Sequence, residues 1–223
     1  MRILAAGAVL ALSYEAWIFA QVWRLRAHNP ETTAFMEQGL ARLRAKNPKR
    51  KLRQQWVPYE KISVHLKRAV LAAEDQNFLV HRGFDWDAIR EAYERNQSER
   101  RSIHGGSTIT QQLAKNLFLS PRRTYFRKAQ EAVITVMLEA VLPKRRILEI
   151  YLNVIEWGEG IYGAEAAAQH FFGVSAAALD PEQSARLATV IPAPRRYSPL
   201  RESEFMHARI AFIESQKNFV AVP

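Results

Sequence analysis

The chain has 223 residues, 48% apolar and 24% charged, which describes a globular protein with one sizeable core rather than a disordered chain or two full domains. It has no cysteine, which excludes a disulfide framework and a thiolate metal site but is neutral on compartment. A net charge of +10 and a pI near 10.1 imply an anionic partner: nucleic acid, an anionic membrane surface or a phosphorylated substrate.

Ile3 to Val22 is an apolar run with one charge, Glu15, flanked by Arg2, Arg24 and Arg26. At helical rise it just covers a bilayer core of about 30 Å, and Trp17 and Trp23 lie toward one end as interfacial aromatics would. A cleaved signal peptide and a buried helix are the alternatives to the expectation, a single transmembrane anchor over 1–25. Glu15 weakens such a span by about 3 kcal/mol if it sits centrally. Lys and Arg are more numerous after the span than before it, which by itself would leave the rest of the chain in the cytoplasm. Residues 26–54 are basic and punctuated by proline, a membrane-proximal connector with a helical stretch over Thr33–Ala45.

From Ser63 the pattern is compact and helical. Val64, Leu66, Val70, Leu71 and Phe78 suit one helix capped by Ser63. Further amphipathic helices follow in RGFDWDAIREAYERN, STITQQLAKNLFL, RKAQEAVITVMLEAVL and PKRRILEIYLNV, the last with Pro143 at its first turn. GAEAAAQHFFG and DPEQSARLATVI add two more before a proline-rich IPAPRRYSP. No repeat and no strand-length alternation stands out. The expectation is an all-α or α-dominant domain over 55–200, with 201–223 a helical tail.

Three constellations carry chemistry. Glu74 ends its helix behind Ala72 and Ala73, and half-apolar surroundings raise a carboxyl's pKa toward general acid–base use. An exposed helix-end acid is the bland alternative. In HGGSTITQQLAKN, starting at His104, Gly105 and Gly106 let backbone amides approach a ligand. Ser107 and Thr108 offer hydroxyls at a helix start that attracts phosphate. Gln112 and Lys115, three apart, face one side. The lysine follows the glycines too late for a P-loop, and a glycine turn before an ordinary amphipathic helix is the alternative. In RKAQE, Arg127 and Lys128 each reach Glu131 at helical spacing. On a surface that is a weak salt bridge; in a cleft the cations could hold a diphosphate.

EDQNFLVHRG, GGSTITQQLAKN, RKAQE and ILEIYLNVIEWGEGIYGAEAAAQHFFG together resemble, in order and spacing, the motifs of the peptidoglycan glycosyltransferase family over about Gln55 to Pro199. Ser-x-x-Lys and Lys-Thr-Gly signatures of penicillin-binding modules are missing, so the resemblance is to the family's monofunctional members. It implies a lysozyme-like helical fold with a small membrane-proximal lobe, and a single-pass inner-membrane enzyme with its catalytic domain on the periplasmic side.

By the same resemblance Glu74 is the catalytic base, and Asp75, Phe78, His81 and Gly83 build its loop. Glu131 is the second essential acid. Ser107, Thr108, Gln112, Lys115, Asn116, Arg127 and Lys128 bind substrate, and Gly105, Gly106, Tyr151 and Asn153 support the site. The implied substrates are lipid II and the undecaprenyl-diphosphate-linked glycan strand, joined through an inverting β-1,4 transfer. No cofactor is required by the sequence; a divalent cation, Mg or Mn, could assist, with no dedicated ligand spacing. Asn116 to Phe126 mixes apolar and basic residues, Arg122 and Arg123 among them, as an interfacial helical segment would. Cell-wall synthesis or division proteins are conceivable partners. Nucleic acid is not expected, because aromatics are not interleaved with Lys and Arg as a strand-binding face requires. A lytic lysozyme-like glycosidase is the competing enzyme, and a membrane-tethered binding protein the competing non-enzyme.

Overall fold

The computed structural model describes residues 2–98, 106–122 and 124–223. His104, Gly105 and Arg123, named above, lie outside the described residues. The chain runs through helices α1 (Arg2–Arg24), α2 (Ala34–Lys46), α3 (Val64–Glu74), α4 (Trp86–Ser98), α5 (Ile109–Phe118), α6 (Tyr125–Val141) and α7 (Lys144–Val154). Then follow α8 (Ala164–Phe172), α9 (Pro181–Val190) and α10 (Glu204–Gln216).

Local chemistry sets most helix starts. Ser63, Thr33, Thr124 and Ser203 each accept a backbone N–H at the start of α3, α2, α6 and α10. Thr108 with Gln111 closes a capping box on α5, and Asp180 with Gln183 does so on α9, where Pro181 opens the first turn. α7 is the axis of the core. Ile147, Leu148, Ile150, Tyr151, Leu152 and Val154 are all fully buried, and each large side chain so removed from water contributes about 1.5–3 kcal/mol. α5 packs between α6 and α7, α3 lies along α9, and α10 closes over both α3 and α9.

The helix capped by Ser63 stops at Glu74, as its place behind Ala72 and Ala73 predicts, so Phe78 lies in the loop and not on the helix. Asp75 leaves helical geometry (φ −164°), and its carboxylate is taken by the backbone N–H of Ile109 and by His81. The stretch from Asn116 to Phe126, by contrast, is not one helix: α5 ends at Phe118, and α6 begins only after Thr124, beyond Pro121.

A small sheet absent from the sequence reading also appears. β1 (Arg53–Gln54), β2 (Glu156–Gly158) and β3 (Ile161–Tyr162) form it in the order β1-β3-β2. β1 runs parallel to β3, with Arg53 opposite Ile161 and Gln54 opposite Tyr162. Strands this short are below any alternation signal. Their function is positional: they tie the connector to the end of α7.

The flanking segments are joined to this core. Met36, Gly39 and Leu43 of α2 are buried, and Gly39 is where the Tyr162 hydroxyl approaches too closely for a Cβ. Met206, Ile213 and Val220 bury the region after 200. Ile18 and Val22 of α1 are fully buried, Leu25 follows them, and α1 packs on α6. Its earlier side chains Val9, Leu10 and Leu12 are exposed. Among the described residues, no helix is long and apolar enough to cross a membrane.

Candidate active site

Glu74 sits where α3 ends. Gln112 of α5 donates from Nε2 to its Oε2 at 2.7 Å, and the Tyr151 hydroxyl on α7 donates to Oε1 of the same glutamine at 2.9 Å. Tyr151 is wholly buried, so three helices hold this chain of bonds. Burial of the carboxyl group pushes the Glu74 pKa up from 4.5; the Gln112 bond and the charges of Arg209 and Lys115 pull it back, and Asp75 adds to the rise. Burial and the nearby Glu74 and Asp75 charges drive the Tyr151 phenol well above 10, so it stays a neutral donor.

The loop after Glu74 is built on Asp75 and His81. Asp75 Oδ1 receives His81 Nε2 at 2.8 Å, and Oδ2 receives the Ile109 N–H at 2.9 Å. The Gly83 N–H donates to His81 Nδ1 at 3.1 Å, which leaves the ring proton on Nε2, facing Asp75. Both ring nitrogens are therefore occupied. Gly83 itself has φ +90°, and a Cβ there would stand 2.7 Å from Thr135 Cγ2. Phe78 is buried beneath, with Lys144 Nζ 4.5 Å from its ring centre.

The cationic half of the site lies on α5 and α6. Glu131 is buried; Arg127 Nη1 reaches its Oε2 at 2.7 Å, and Lys128 Nζ its Oε1. Lys128 Nζ also lies 3.5 Å from the Ser107 hydroxyl. Arg127 Nε is buried with no hydrogen-bond partner among the described residues. Lys115 feels both halves. Burial lowers its pKa below 10.5, Arg127 and Lys128 add to the fall, and the Glu131 and Glu74 charges oppose it. Its Nζ lies 5.7 Å from the ring centre of Phe35 on α2.

Several predicted residues occupy supporting rather than ligand-facing positions. The Thr108 hydroxyl is buried, donating to the Gly83 carbonyl and accepting from the Gln111 N–H, so its capacity is spent inside the protein. Asn116 is buried and donates to the Gln112 carbonyl. Gly106 packs against α4, where a Cβ would meet Ile89 Cα at 2.9 Å. Asn153 pairs both ways with the backbone of Val57 at 2.9 Å and braces the connector.

A family model described as Transglycosylase matches residues 40–217, most of the chain. The chain belongs to the transglycosylase family. It is 59% identical over 88% of its length to a biosynthetic peptidoglycan transglycosylase of Azoarcus sp. (strain BH72), covering 85% of that protein. It is also 53% identical to one from Aromatoleum aromaticum and 52% identical to one from Laribacter hongkongensis, over 100% of this chain and 96% and 98% of theirs.

Within this transglycosylase fold one functional neighbour went unread in the sequence. Arg209 of α10 donates from Nη2 to the Ala73 carbonyl at 2.8 Å and lies close enough to lower the Glu74 pKa. Its tail segment carries no motif or periodic signal beyond an ordinary helix. Only tertiary packing brings Arg209 to the end of α3.

Proposed function

We propose that the chain polymerises lipid II into peptidoglycan glycan strands, with no transpeptidase activity. One observation carries the reading: Glu74, a half-buried residue whose carboxyl pKa is raised, shares Lys115 as electrostatic neighbour with the Arg127–Lys128–Glu131 cluster. A base and a diphosphate cradle are the two halves this transfer needs. Glu74 takes the proton of the acceptor's GlcNAc 4-hydroxyl as that oxygen attacks the anomeric carbon of the growing strand, whose configuration inverts to β-1,4. Charge develops on the departing undecaprenyl diphosphate, where Lys115, Arg127 and Lys128 are preorganised to receive it. Gln112, locked by Tyr151, holds Glu74 for the attack.

Glu131 is neutralised by two cations, which suits it to ordering them and not to proton transfer. The same pairing disfavours a glycosidase, in which a second carboxyl must act on the scissile bond. No three His, Asp or Glu converge as metal ligands among the described residues. A divalent cation would therefore arrive with the diphosphate rather than in a protein cage.

We further propose that α1 anchors the enzyme in the inner membrane with the catalytic domain outside. Support comes from the apolar run Ile3 to Val22 and from the exposed Val9, Leu10, Leu12, Trp17 and Phe19. Tyr125 and Phe126, exposed at the start of α6, suit an interfacial contact, whereas Leu117 and Leu119 are buried and take no part.

The test is incubation of the full chain in detergent with labelled lipid II. Polymer that disappears in Glu74→Gln is the expected result. Release of fragments from finished peptidoglycan, with no polymer from lipid II, would replace this reading with the lytic one.

A further inference from the structure

The chain is more basic than its catalytic cluster requires, and two basic segments take no part in that cluster. One is PKRKLR, residues 48–53, in the connector; the other is PAPRRYSPLR, residues 192–201, after α9. The fold makes them opposite walls of one cleft of about 700 Å³, floored by the β2–β3 turn and by Phe171 of α8. That is the size of a small-molecule or oligomer subsite. Lys49, Lys51 and Arg53 face it from one wall, Arg195, Arg196 and Arg201 from the other.

The cations are unevenly matched. Arg50 pairs with Glu159 at 3.5 Å and Arg195 with the buried Glu156 at 3.5 Å. Arg53 Nη1 contacts His170 Nδ1 at 3.0 Å, and Arg196 lies over the Tyr197 ring at 5.6 Å. Lys51, Arg196 and Arg201 have no carboxylate partner among the described residues. The walls therefore present surplus positive charge, in fork geometry suited to carboxylates.

The cleft is separate from the Glu74 site yet joined to it. Phe35, near the start of α2, lies beside Lys115 and accepts the Tyr162 hydroxyl at its carbonyl, while Leu43, eight residues on, lines the cleft. That separation is about 12 Å along the helix.

We propose that this cleft binds the peptide carboxylates of the glycan strand. The proposal rests on the polymerase reading above. A strand that has moved beyond the reacting end carries no diphosphate there, so its anionic groups are the free carboxylates of its peptide branches. A membrane surface fits less well: among the described residues only one exposed large apolar side chain, Leu200, belongs to a wall segment and none lines the cleft itself, the others falling on α1, at Val64, on residues 79–93, on α6 and on the C-terminal segment.

The test titrates fluorescent glycan strands against the full chain in detergent, once with their peptides and once enzymatically stripped of them. Peptide-bearing strands should bind roughly tenfold more tightly, the effect of one or two charge-assisted hydrogen bonds. Lys51→Gln/Arg196→Gln/Arg201→Gln should bind both strands alike, while Arg196→Lys/Arg201→Lys retains part of the preference. Initial consumption of lipid II should change less than about twofold in both variants, since no mutated side chain belongs to the catalytic cluster and surface substitutions are mild. Equal binding of the two strands by the wild type, or an unchanged preference in the triple variant, overturns the proposal. So does competition by phosphatidylglycerol vesicles that needs these same three side chains, which would assign the cleft to lipid. A wild type that makes no polymer from lipid II would instead overturn the polymerase reading, because strand binding is measured without turnover.

Discussion

Gln112 Nε2 stands 2.7 Å from Glu74 Oε2 because the Tyr151 hydroxyl, 2.9 Å from Gln112 Oε1, fixes which end of the amide faces the carboxylate. In this arrangement the amide donates to Glu74. A donor to the carboxylate favours its charged form, so burial raises the pKa and Gln112 limits the rise. In the proposed mechanism the base is thereby tuned by a residue that need not touch the transferred proton.

The rate should accordingly climb with pH through one ionisation above 4.5, as Glu74 loses its proton. Glu74→Gln should lower turnover by about 10²–10⁴-fold, the contribution of a positioned base, and flatten that limb. Glu131→Gln should also be slow but keep the limb. A profile flattened by Glu131→Gln and retained in Glu74→Gln would exchange the two roles. Initial rates of lipid II polymerisation across pH decide it.

The same burial has a thermodynamic side. The folded-state pKa of Glu74 is raised, so its contribution to stability is complete below 4.5 and is lost as pH rises through the folded value. Glu74→Gln removes that loss. At pH 8 the variant should melt higher than wild type. Below pH 4.5 the gap should close. Calorimetry in detergent at the two pH values measures it.

Lys115→Ala should reduce turnover by roughly 10²-fold or more, as loss of one preorganised charge does, while leaving the melting temperature nearly unchanged. Because burial lowers the lysine's pKa below 10.5, the wild-type rate should fall on the alkaline side earlier than an ordinary lysine would allow. Lys115→Arg should recover part of the rate and carry that limb to higher pH, since guanidinium keeps its proton. pH–rate profiles of the three proteins test this.

The buried end of α1 predicts an uneven response to truncation. Deletion through Ala16 spares Ile18 and Val22 and should leave a folded domain, whereas deletion through Trp23 also removes these two fully buried side chains. Ile18→Ala alone should cost about 2–5 kcal/mol, the range for such core truncations. Denaturant unfolding of the two truncated chains and the point variant checks the order.

What the sequence disclosed and what it hid divide along the length of the interactions. α5 and α7 were readable because their apolar spacing and caps are local, as were Arg127, Lys128 and Glu131, one helical turn apart. The link from Asp75 to the Ile109 N–H was not, since it joins residues 34 apart and only exists once α3 and α5 meet. That bond holds the loop after Glu74 against the start of α5. Arg209 and the β1–β3 pairing are hidden for the same reason at longer range, 136 residues for the bond from Arg209 to Ala73.

The helix that carries Arg127, Lys128 and Glu131 is the helix against which α1 packs, and Ile18 and Val22 near the end of α1 are buried. A flexible leash would let the catalytic cluster wander over a range of heights above the lipid headgroups. A rigid bracket does not: if α1 anchors the chain as proposed, α6 inherits whatever depth and tilt α1 takes. The diphosphate of a lipid-linked strand also sits at a fixed height, set by its own tail. Register between enzyme and substrate then becomes a matter of bilayer thickness, and lengthening the stretch between Arg26 and Thr33 would leave it untouched.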